Sequence, residues 1–135
     1  MITTPGPGVM ISPLMGNAQA VEALTESTGK ELAALSINED RLLLNFTDGS
    51  AIKLFDDGQL CCELRYMYTD DELQDFVGSQ FLSAEVREGP EIEREYEVKE
   101  SEFLLITTSI GQFTVVNYNE HNGYYGGFAI SAVKI

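Results

Sequence analysis

His121 is the chain's only histidine, and it lies inside "NEHNGYYGGF", residues 119–128, among amides, two adjacent tyrosines and three glycines. Asn117, Asn119, His121 and Asn122 supply donors and acceptors, and Tyr124 and Tyr125 offer flat faces for stacking. The glycines remove Cβ atoms, so a ligand or another backbone can come close. The same residues spell a turn, because Asn122-Gly123 is a strong hairpin signal. A recognition loop and a plain turn between two strands are both open on these residues.

Cys61 and Cys62 form the second stretch with chemical potential, just after a turn signal at Asp57-Gly58. Neighbouring thiols have neither the spacing of a disulfide framework nor that of a Cys-x-x-Cys redox pair, so reduced side chains are expected. Free cysteine usually packs as a small buried hydrophobe. If one thiol met His121 in space, the pair could form a thiolate–imidazole nucleophile, or zinc ligands with Glu63 or Glu120 added. Adjacent residues of a strand point to opposite faces, so one thiol at most serves unless the segment bends. No known zinc-site spacing matches, and the chain is expected to carry no metal and no cofactor. A serine triad would have to run through His121 without a Gly-x-Ser-x-Gly elbow, and no phosphate-cradling Gly-x-x-x-x-Gly-Lys occurs.

The third stretch is acidic. In "EIEREYEV", read as one strand, Glu91, Glu93, Glu95 and Glu97 share a face at about 6.6–7 Å intervals, with Ile92, Tyr96 and Val98 turned inward. Such a row protects an edge strand from stray pairing. The functional alternative is a docking surface for a basic partner, or a mimic of nucleic acid. The chain as a whole carries 8 basic and 22 acidic residues, a formal charge of −14. That charge repels nucleic acid and anionic membranes and attracts a basic protein surface or a divalent cation. The expected partner is a protein with a basic surface, or a small molecule. No run approaches the roughly 20 apolar residues that span a bilayer. The first basic residue is Lys30, and Pro5, Pro7 and Pro13 interrupt the amino end, so no secretory signal is read there and a cytoplasmic protein is expected.

The elements that must position these residues read mainly as strands. With 135 residues and 44% apolar content, the chain can build one core. Residues 1–13 are Pro- and Gly-rich and read as a flexible arm, leaving 14–135 as a single β-rich domain. Arg41–Phe46 and Ala51–Phe55 alternate around Asp48-Gly49, and the same grammar returns in "EFLLITTSIGQFTVVNYNEH" with Gly111 at the turn. Shifting the chain by 62 residues sets Gly16 on Gly78, Gly49 on Gly111, Leu42 on Leu104 and Leu54 on Val116. An internal duplication with halves 14–75 and 76–135 follows. The shift also favours a strand for "KELAALSI", and "FAISAVKI" reads as the closing strand. "TDDELQDFVG" predicts one short connecting helix, capped by Thr69 with Glu72 completing the box, ended by Gly78, and burying Leu73, Phe76 and Val77. Eight or nine short strands with one helix predict an antiparallel sandwich or partly closed barrel, with α+β as the alternative.

Taken together, "GQLCC", "FVGSQFLSAEV" and "NEHNGYYGGF" resemble an uncharacterised domain family of bacterial and bacteriophage genomes, from about Leu14 to the C-terminus. Its marks are a Gly-x-x-Cys-Cys stretch, here Gly58, Cys61 and Cys62, and an Asn-Gly-Tyr-Tyr-Gly-Gly stretch, here Asn122 to Gly127. Where relatives continue with serines and a tryptophan, this chain has Glu63, Leu64, Arg65 and Tyr66. The resemblance implies one domain in a phage or bacterial setting and no particular activity. The expected function is a non-catalytic binding protein, such as a phage-type accessory factor or inhibitor that docks on a host protein or sequesters a small ligand. The expected contacts are Asn117, Asn119, His121, Asn122, Tyr124 and Tyr125 with Cys61 and Cys62, and Glu91, Glu93, Glu95 and Glu97 for a basic partner. The alternatives are a cysteine/histidine-centred enzyme or metal-binding protein, and an acidic nucleic-acid mimic.

Overall fold

In the computed structural model, residues 18–58, 63–95, 97–123 and 126–135 are described. Cys61, Cys62, Tyr96, Tyr124, Tyr125 and the arm at 1–13 therefore lie outside the described residues. Helix α1 (Ala18–Ser27) is followed by β1 (Leu32–Asn38), β2 (Arg41–Phe46), β3 (Ala51–Asp56) and β4 (Leu64–Tyr68). A one-turn 3-10 helix (Leu73–Phe76) then leads to β5 (Phe81–Arg94), β6 (Glu97–Thr108), β7 (Gly111–His121) and β8 (Ile130–Lys134).

The strands form two four-stranded antiparallel sheets, ordered β1-β2-β3-β8 and β4-β7-β6-β5. Alternation along each strand turns one face inward: Leu42, Leu44, Ile52 and Leu54 from the first sheet meet Leu104, Ile106, Phe113 and Val115 from the second in one core. This is a β-sandwich, and no sheet closes into a barrel. Each sheet is a three-stranded meander completed by the last strand of the other half: β8 pairs with β3, and β4 with β7. Helix α1 lies against β8 and β5, the end strands of the two sheets on that side. It buries Ala20, Ala23, Leu24 and Ser27, whose spacing makes one helical face. Among the described residues, no helix is long and apolar enough to cross a membrane.

Four local expectations are corrected. The helix expected at "TDDELQDFVG" shrinks to Leu73–Phe76, because Thr69 and Asp71 serve β7 instead of a helix end. Thr69 Oγ1 donates to the Thr114 carbonyl at 2.7 Å, and Asp71 Oδ2 accepts the Thr114 N–H at 2.8 Å. The helix that does form is α1, built on alanines with no charged first turn to announce it. The acidic row is a hairpin and not one strand: β5 ends at Arg94, Glu95 turns, and Glu97 opens β6, with Ile92 50% exposed instead of inward. Finally, Asn122-Gly123 does not join paired strands, since β7 and β8 belong to different sheets and the segment is a crossover.

The 62-residue shift also slips at one place. Leu42 pairs with Leu54, whereas Leu104 pairs with Val115, so the second turn is one residue shorter and Val116 faces outward. This register predicts that Val115→Ala lowers stability by about 2 kcal/mol in urea unfolding, while Val116→Ala costs less than about 1 kcal/mol. Equal losses would contradict it.

Candidate functional site

The inner face of β7 runs Phe113, Val115, Asn117, Asn119, His121, all buried, and so passes from hydrocarbon to polar groups without leaving the interior. Its neighbours change at the same level. On β6 the inward positions run Ile106, Leu104, Glu102, Glu100, directly opposite Phe113, Val115, Asn117 and Asn119. On β4, Met67 lies opposite Asn117 and Arg65 opposite Asn119, and β3 follows Leu54 with Asp56. One end of the sandwich is therefore a buried polar layer, and buried polar groups must be bonded or they destabilise the fold.

Arg65 is the hub of that layer. Its Nη1 donates to both Asp56 oxygens at 2.9 and 3.0 Å, and its Nη2 to both Glu63 oxygens at 3.1 and 3.0 Å. The side chains are only 6%, 8% and 0% exposed for Arg65, Asp56 and Glu63. Burial works against the charge of the guanidinium, but the Glu63 and Asp56 carboxylates more than offset it and raise its pKa above the ordinary value. From this fork, bonds run to both loop stems. Asp56 Oδ1 accepts the N–H groups of Gly58 (3.0 Å) and Ala129 (3.1 Å), and the Asp57 N–H reaches the Ala129 carbonyl at 3.0 Å. Asn119 Nδ2 donates to Glu63 Oε2 at 2.9 Å and to the Gly127 carbonyl at 3.1 Å. The stems of the cysteine loop and of the Asn-Gly loop thus converge on one polar end.

His121 points into this layer with its side chain 4% exposed. Nδ1 accepts the Gly123 N–H at 3.0 Å, which assigns the neutral ring its proton on Nε2, facing Glu100 Oε1 at 2.8 Å. Glu100 Oε1 also accepts the Gly127 N–H at 2.9 Å. The ring therefore organises the loop, and the nitrogen that would act as a base already holds a donor. Glycine is required on both stems. A Cβ on Gly58 would stand 2.5 Å from Arg65 Nη1, and one on Gly126, at φ 151°, would stand 2.8 Å from Glu100 Oε1.

Beside the layer, the β5–β6 hairpin and the β7–β8 crossover enclose a cleft of about 360 Å³, lined by Glu88, Glu91, Glu100, Glu102, Gly127 and Phe128 among others. Glu88 lies directly across from Glu102, and Glu91 from Glu100, so like charges face each other twice. Burial, with the added repulsion of Asp56, Glu88 and Glu100, pushes the Glu102 carboxyl from 4.5 up to about 7. Among the described residues, no cationic side chain pairs with Glu88, Glu91 or Glu102. Three buried acceptors, Glu102 Oε1, Asn117 Oδ1 and Asn119 Oδ1, likewise find no donor there. A buried polar atom left unpaired costs about 1–3 kcal/mol.

The predicted site residues thus divide. Asn117, Asn119 and His121 are brought together inside, while Asn122 is exposed on the loop and Glu120 faces outward, accepting the Tyr66 hydroxyl at 2.5 Å. Of the acidic row, Glu91 joins the cleft, and Glu93, Glu95 and Glu97 stand exposed at the hairpin end. Cys61, Cys62, Tyr124 and Tyr125 lie outside the described residues. Asp56, Arg65, Glu88, Glu100, Glu102 and Phe128 were not anticipated, although Glu100 and Glu102 keep the two-residue period of Leu104 and Ile106. Among the described residues, no three His, Cys, Asp or Glu side chains are grouped so as to hold a metal ion.

Two outcomes follow for stability. Arg65→Met leaves two buried carboxylates without their cation and is expected to cost about 3–5 kcal/mol in chemical unfolding. Glu102 has its pKa raised on folding, so its contribution is complete below pH 4.5 and is lost as pH rises through about 7. Glu102→Gln should therefore gain on the wild type as pH rises from about 5 to 8, by roughly 1 kcal/mol after discounting for the partly solvated carboxyl. A gap independent of pH would contradict the shift.

No curated protein and no solved structure matches the chain. Residues 25–130, which take in both loop stems and the whole polar layer, match the model of the family described as a domain of unknown function, DUF7448, and the chain belongs to that family.

Proposed function

We propose that the protein is a non-catalytic binding protein that docks on a partner protein with a basic surface, through the end of the sandwich where the two loops and the acidic hairpin meet. The observation that carries this reading is the cleft. It gathers four glutamates, two pairs of them face to face, and none of Glu88, Glu91 or Glu102 has a cationic partner among the described residues. Such an arrangement repels itself unless a positive group is supplied from outside. The formal charge of −14 supports the same direction by steering basic surfaces toward the chain. In His121, both ring nitrogens are already engaged, which supports holding over catalysis. A phage-type accessory factor or inhibitor acting on a host protein in the cytoplasm fits this chemistry. The nucleic-acid mimic loses its premise, since the hairpin turn at Glu95 breaks the regular row of glutamates it needed.

The test is differential capture from bacterial lysate by the wild type and by a Glu88→Gln/Glu91→Gln variant. A partner held by the wild type, released by salt and weakened about tenfold or more by the double change supports the proposal. A partner held equally by both proteins, or indifferent to salt, contradicts it.

A further inference from the structure

We propose that the outer face of the second sheet is a docking platform for an arginine side chain of a partner protein, with the guanidinium lying flat on the Tyr68 ring and bonded to Asp70. Strand phase decides which side chains stand on that face. Met67, Val115 and Leu104 point into the core, so Tyr66 and Tyr68 of β4, Val116 and Tyr118 of β7, and Phe103 of β6 point outward. The register sets them side by side: Tyr66 lies opposite Tyr118, while Tyr68, Val116 and Phe103 form one row across three strands. On a chain of formal charge −14 this is an aromatic and apolar surface, and Tyr68 keeps 51% of its area exposed. None of these residues lines the acidic cleft, so the proposal does not rest on the cleft reading.

The chain itself shows what such rings receive. The Tyr66 and Tyr118 ring centroids are 5.0 Å apart, and Lys99 Nζ caps this pair at 4.5 Å from the Tyr118 centroid. On the first sheet, Lys53 covers Phe55 in the same way, also at 4.5 Å. Tyr68 has no such cation among the described residues. It does have the anion that would accompany one, because its hydroxyl donates to Asp70 Oδ1 at 2.6 Å, and Asp70 forms no ion pair among the described residues. An open ring with a carboxylate fixed at its edge is a receptor in two parts. A guanidinium meets both at once, being planar enough to stack and forked for bonding a carboxylate, whereas an ammonium is a compact and strongly hydrated point charge. Val116 and Phe103, beside the ring, then cover an apolar residue next to the arginine. A second copy of the chain fits poorly, since it sets one charge of −14 against another.

The test is an amide NMR titration of the full chain with three capped dipeptides: acetyl-arginyl-leucine amide, acetyl-lysyl-leucine amide and acetyl-citrullyl-leucine amide. The arginine probe should shift the backbone amides of Tyr68, Asp70 and Val116. The lysine probe should bind more weakly, and the citrulline probe, planar but uncharged, about tenfold more weakly than arginine. Tyr68→Leu should weaken the arginine probe about fivefold, and Asp70→Asn about threefold, the latter an effect that added salt erases. Both positions are exposed, so both variants keep the core intact. Equal binding of the citrulline probe, shifts centred on Glu100 and Gly127, or full affinity in Tyr68→Leu would each overturn the platform. No response to any probe would overturn it as well. Shifts at the same amides that grow with protein concentration alone would give the face to a second copy, and would also overturn it. Failure here leaves the cleft reading standing, and partner capture indifferent to Glu88 and Glu91 leaves the platform standing.

Discussion

Arg65 makes five N–H···O contacts with Asp56 and Glu63, and the polar end of the sandwich depends on that fork. Without the guanidinium, two carboxylates would be buried together in a layer that already holds Glu100 and Glu102. With it, Asp56 can accept from Gly58 and Ala129, and Glu63 from Asn119, so that one buried cation fixes the stems of two loops from opposite sheets. A buried ion pair of this kind is weak evidence for stability but strong evidence about arrangement, because either partner alone is costly. What it secures here is the approach of β3, β4 and the β7–β8 crossover to one another.

The topology explains why those elements can meet. Each meander is completed by a strand from the other half, so the chain crosses between sheets after β3 and again after β7. The loops at 57–63 and 122–129 are those two crossings, and both leave the same end of the sandwich. At that end the second sheet extends further, through the long β5–β6 hairpin, and its inward glutamates lack a covering apolar layer. The cleft is what remains between the hairpin and the crossover. Glu102 carries the electrostatic consequence, since its carboxyl is enclosed with acids and has no cation beside it.

Much of this was legible in the residues. The Asp48-Gly49 and Gly111 turns, the β2 and β3 spans and the sandwich class follow from period-two alternation and turn chemistry, which are local properties. The helix at 69–78 was misread because Thr69, the capping residue, and Asp71 bond to Thr114 instead, a tertiary contact that no local pattern encodes. Helix α1 was missed because alanines bury little and announce little. At the site, Asn117, Asn119 and His121 stood out by type, but they were read as the exit from a strand into a recognition loop. The phase of Phe113 and Val115, carried two residues at a time, would have placed them inside, and the phase of Leu104 and Ile106 would have added Glu100 and Glu102. Arg65 could not be found in that way. Its role depends on the end of β3 coming within reach of β4 across the two sheets, which is a property of the fold alone.

The central claim is that a carboxyl group is enclosed among other acids in a cleft that lacks a cation of its own. The measurement closest to it is the titration of the Glu102 carboxyl carbon, assigned by comparison with Glu102→Gln, in the isolated protein. The account predicts a midpoint near 7. A midpoint in the ordinary glutamate range, about 4.3, would mean that the cleft is well solvated or already neutralised, and would contradict it.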